Sequence, residues 1–109
     1  MFYSVWSFFK DADRQWCLNT AEQVLLANKL TIQDPAGDAD IHVAGTGRTG
    51  DLLVTVVCTR IKEHPTSVVV HAVATTPGTA RAAGKAVRDG IIRTSPLADP
   101  DTNGVRPEP

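Results

Sequence analysis

LLVTVVCTRI, residues 52–61, and SVVVHAVAT, residues 67–75, decide the architecture. Both are dense in β-branched residues, and the turn former Lys62-Glu63-His64-Pro65-Thr66 separates them, so they read as two long strands folded back on each other. A side chain on a strand alternates between two faces. Leu52, Val54, Val56 and Cys58 therefore oppose Leu53, Thr55, Val57 and Thr59, while Val68, Val70, Ala72 and Ala74 oppose Val69, His71, Val73 and Thr75. No charged residue falls on either side of these two sets.

Upstream, Gly45-Thr46-Gly47-Arg48-Thr49-Gly50 connects the first of these strands to a short one at Ile41–Ala44, and three strands with short Gly or Pro connections predict an antiparallel meander. FYSVWSFF, residues 2–9, is a further strand, splitting Tyr3, Val5, Ser7 and Phe9 from Phe2, Ser4, Trp6 and Phe8. Lys10 to Asp13 break it. Asp11 or Asp13 is suited to cap a helix, because a carboxylate accepts the orphan amides of the first turn. The spacing of Cys17, Ala21, Val24, Leu25 and Asn28 then predicts a helix over roughly 12–29, and Gln33 to Asp38 reads as a loop.

Downstream, Thr76 is placed as N-cap with Pro77 at the first helical position. Ala80, Gly84, Val87 and Ile91 hold the spacing of one buried helical stripe. From Ser95 the chain turns to proline and polar residues, too poor in apolar surface to offset the entropy of ordering. The expectation is one α+β domain over residues 1–94, with a polar tail at 95–109. It is a two-layer sandwich in which a four-stranded antiparallel sheet carries two helices on one face, in β-α-β-β-β-α order.

That sandwich has a consequence. Two helices cover one face of four strands, so the other face exposes Val5, Phe9, Leu53, Val57, Val69 and Val73. A contiguous apolar patch of this kind marks an interface or ligand groove. The expected role is a small non-enzymatic binding or assembly domain. A second copy would cover the outer face, since twofold homodimers are the commonest oligomers, with a small apolar ligand or a peptide as the other occupants. His42, Thr55, Val57, Val69, His71 and Val73 are the candidate binding residues.

The competing reading is a small enzyme working in a cleft at the dimer interface, with His42 and His71 as acid and base. The same two histidines fall short of a zinc site, because Asp40 is the only nearby third ligand. No metal or cofactor is called for. Cys17 and Cys58 fall on core-facing positions and would form a disulfide if they meet, although a cytosolic setting favours thiols. Nothing near them in sequence activates either as a nucleophile.

The remaining motifs carry less. The Gly45–Gly50 loop joins strand to strand, whereas a phosphate loop must deliver its anion to a helix N-terminus. Arg48 is its one anion contact. Arg81, Lys85 and Arg88 form a basic stripe on the second helix, a pattern that grips phosphates or simply faces water. The chain has 42% hydrophobic and 21% charged residues and a net charge of −1, which gives no long-range field to gather nucleic acid or an anionic membrane. Asp99 to Gly104 opens like a calcium loop, but its twelfth position lies past residue 109. No stretch is long and apolar enough to span a bilayer, and Met1 to Phe9 lack the basic leader of a signal peptide, so a cytoplasmic location is expected.

Overall fold

A computed structural model describes residues 1–34 and 41–96. Its elements are β1 (Phe2–Lys10), α1 (Arg14–Ala27), β2 (Thr31–Asp34), β3 (His42–Thr46), β4 (Leu52–Thr59), β5 (Thr66–Ala74) and α2 (Pro77–Arg93). All strands join one antiparallel sheet in the order β1-β5-β4-β3-β2. The sheet has five strands, not the expected four. The additional one, β2, is four residues long with Ile32 as its single apolar member, too short to show a period of its own. It forms because the chain leaves α1 beside β3, pairing Thr31 with Thr46 and Ile32 with Gly45 before a register shift ahead of Asp34. Gln33 and Asp34, expected in the loop at 33–38, belong instead to β2, and residues 35–38 lie outside the described residues, as do Asp40 and the tail from 97.

Local chemistry sets the helix ends. The Asp13 side chain accepts from Trp16 N at 2.8 Å, fixing the start of α1. At its other end Lys29 adopts a left-handed φ of 65°, and Leu30 N donates to Leu25 O at 3.1 Å. This turn stops α1 and sends buried Leu30 down toward β2. Pro77 opens α2 as expected, but the Thr76 hydroxyl donates to Thr79 Oγ1 at 2.6 Å and does not cap the backbone.

Both helices lie on one side of the sheet, α1 over β3 and β4 and α2 over β1 and β5. Leu18, Leu25, Val54, Val56, Val70 and Ile91 are fully buried between the layers. Small residues let α2 approach. A Cβ at Gly84 would stand 2.6 Å from Ser4 Oγ and 2.8 Å from Trp6 Nε1, and one at Gly90 would stand 2.7 Å from Val24 of α1. Two hydrogen bonds tie the helix to β1: Ser4 Oγ donates to Ala80 O at 2.8 Å and Lys10 Nζ to Ile92 O at 2.7 Å. Among the described residues no helix is long and apolar enough to cross a membrane.

Candidate functional site: the outer face of the sheet

The strand register arranges the helix-free face in rows. Thr46, Leu53, Val73 and Tyr3 form one row across β3, β4, β5 and β1. The next holds Ala44, Thr55, His71 and Val5, and the third His42, Val57, Val69 and Ser7. Thr59, Ser67 and Phe9 close the set. Not one of these side chains carries a fixed charge. Tyr3 is 72% exposed, Phe9 74%, Val5 54% and Leu53 40%, while Val57, Val69 and Val73 are half-buried among their neighbours. The residues expected on an outer apolar face thus share one face in the folded chain.

The two histidines reach that face but do not meet. His42 stands on β3 and His71 on β5, with β4 between them and an offset of one row. Two strand spacings and two residues of rise put their backbones roughly 12 Å apart. Thr55 lies directly across from His71, whose ring meets Tyr3 edge to face at 5.9 Å. Each imidazole thus sits in a separate setting, and the two do not pair with each other. Among the described residues no group of three histidine, cysteine or acidic side chains is placed to hold a metal.

A cleft lies on the other side of the molecule. It measures about 450 Å³ and is bounded by Leu30, Leu52, Ala83 and Val87, with Asn28 and Thr79 at its rim. Among the described residues no ionisable side chain lines it. It is a gap between the end of α1 and the small-residue flank of α2, without a convergent polar set for chemistry.

Cys17 and Cys58 do meet, in the core, as free and fully buried thiols. Thr66 gives its only proton to Ala12 O at 2.5 Å. That hydroxyl lies beside Cys17, and the two thiols lie within hydrogen-bond reach of each other with Cys58 as the donor. Donation from Cys58 holds the Cys17 thiol below its ordinary value. The same bond, together with burial, pushes Cys58 far up. The pair joins α1 to β4 as packed thiols and is not a nucleophile open to substrate.

The cationic candidates separate. Arg48 sits on the exposed hairpin between β3 and β4, away from β1 and β5, which α2 overlies. Arg81, Lys85 and Arg88 share one flank of α2. Arg88 stacks over Trp6 at 4.3 Å and pairs with Asp89 at 2.7 Å. What the sequence did not disclose is where that flank points, because strand order had to be known first. No family model, curated protein or solved structure matches the chain. The functional reading therefore rests on the site itself.

Proposed function

We propose that this chain is a small non-enzymatic assembly domain that pairs with a second copy through the outer face of its sheet. The observation that carries the reading is a complete sheet face, four strands wide, that bears no fixed charge and leaves Tyr3, Val5, Phe9 and Leu53 in water. Patches of this extent are interaction surfaces as a rule. The face is also neutral enough to meet its own copy, since a twofold axis brings no like charges together. A depression of about 340 Å³ beside Leu53 and Val73 offers room for a side chain of the partner.

Four strand spacings by seven residues project roughly 500 Å² per copy. That is the low end of specific interfaces, so the expected form is a concentration-dependent dimer rather than an obligate one. The acid–base alternative has less behind it, because His42 and His71 stand two strands apart. Sedimentation equilibrium over a hundredfold concentration range tests the proposal. A reversible dimer in the native chain and a folded monomer in Val57→Lys/Val73→Lys support it. A native chain that stays monomeric throughout overturns self-association and leaves the face to a ligand.

A further inference from the structure

The two edges of the sheet are built differently. Edge strands invite pairing with foreign strands, and proteins blunt them by shortness, bulges, proline or charge. The β2 edge is four residues long and carries a register shift. The β1 edge has none of these devices: nine residues pair with β5 without a break, no proline interrupts them, and their only charge is Lys10 at the end. Among the described residues nothing pairs with its outer side.

What overhangs that edge is positive. Residues on a helix advance by about 100° each. Gly84 of α2 faces β1 and Gly90 faces α1. On this wheel Arg88, Arg81 and Lys85 lie roughly 40°, 60° and 100° from Gly84, on the side away from α1. With β1 outermost and α1 over β3 and β4, that flank projects beyond the free edge of β1. Arg81 and Lys85 are exposed and have no hydrogen bond or ion pair among the described residues.

We propose that the β1 edge takes up an extended acidic segment of a partner protein as a sixth strand. Its backbone would pair with the open groups of β1. Alternate side chains fall on opposite faces. One set lies beneath α2, where carboxylates meet Arg81 and Lys85, Arg88 being held by Asp89 and Trp6, and the other continues the apolar side chains of Tyr3, Val5 and Phe9. A second copy fits this edge poorly. Twofold pairing of β1 with itself would set the basic flanks of two α2 helices against each other, and like charges in opposition disfavour a complex. The inference does not depend on the face-to-face dimer.

The test is fluorescence anisotropy of the full chain with a labelled, end-capped peptide of four Glu-Val repeats. Two companions are used: the same peptide with Lys for Glu, and a block version with four Glu followed by four Val. The alternating acidic peptide should bind at least tenfold tighter than either companion and weaken as salt rises. Arg81→Glu/Lys85→Glu, both exposed and so tolerated by the fold, should reverse the preference toward the Lys peptide. Val57→Lys/Val73→Lys should bind as the native chain does, so loss of the dimer and loss of the edge site are read separately. Equal binding of the block peptide would reduce the site to an anion patch. Equal binding of the Lys peptide, or no binding of any of the three, overturns the proposal.

Discussion

Val56 and Val57 are neighbours in one strand, yet the first is fully buried and the second half-exposed. The same holds along β5, where Val68 and Val70 are sealed and Val69 and Val73 are not. The two faces have nearly the same composition, so side-chain chemistry does not explain why one is core and the other surface. The helices decide it. Each turns its apolar stripe to the same side of the sheet, and the tie from Ser4 to Ala80 holds α2 there. A face made of core residues but left without a cover among the described residues is what makes this fold informative about function.

Matched substitutions break or sharpen that comparison. The largest effect is expected from Val56→Lys, which places an unpaired ammonium among Val54, Val70 and α1. Burying such a charge costs more than the roughly 5–15 kcal/mol that holds a domain together, unless the side chain finds water. No folded protein should be seen by circular dichroism. Val57→Lys, one residue on, should keep its unfolding free energy within about 0.5 kcal/mol, read by urea titration, as surface changes usually do. If Val57→Lys unfolds the chain as well, the outer face is intramolecular core and the assembly reading goes with it.

A smaller effect probes the closeness of α2 to β1. Alanine in place of a helix glycine ordinarily gains up to about 1 kcal/mol. At Gly84 the new methyl would collide with Ser4 Oγ and the Trp6 indole, which Arg88 covers from above. Overpacking of this kind costs about 1–3 kcal/mol, so a net loss of roughly 1–2 kcal/mol is expected in urea unfolding. At Gly78 a Cβ would meet nothing within 4 Å, and the same substitution should be neutral or slightly stabilising. Equal effects at the two glycines would mean that α2 does not sit close to β1.

These contrasts also show what could be read beforehand. Strand alternation is local, so the two apolar faces were legible, and with them the outer positions of Val57, His71 and Val73. The helix stripe of Ala80, Gly84, Val87 and Ile91 was legible for the same reason. β2 was not, because three polar residues around Ile32 carry no period and gain strand form only by pairing with β3. The place of β1 was not either: it pairs with β5 across most of the chain, and no neighbouring residue announces that. Without that pairing the stripe of Arg81, Lys85 and Arg88 reads as a solvated helix face, whereas with it the stripe overhangs an open edge.

The smallest effect concerns the thiols, where the inner face meets α1. Cys58 gives its hydrogen to Cys17 and is buried, so the folded chain keeps that proton well above the range where an exposed thiol loses it. Above about pH 8.5 the unfolded chain gives up a proton that the folded chain retains, and stability falls as pH rises. Cys17 acts in the opposite sense. Its lowered value contributes stability present above the unfolded thiol range and lost as pH falls through the folded one, but burial opposes the shift and makes it the lesser of the two. The net expectation is a loss of about 1 kcal/mol or less between pH 7.5 and pH 10, read from urea midpoints. That increment should vanish in Cys17→Ala/Cys58→Ala, which removes both buried thiols. The native chain should show two free thiols on denaturation. A chain that instead grows more stable toward pH 10, relative to Cys17→Ala/Cys58→Ala, would overturn the assignment of Cys58 as the donor that keeps its proton.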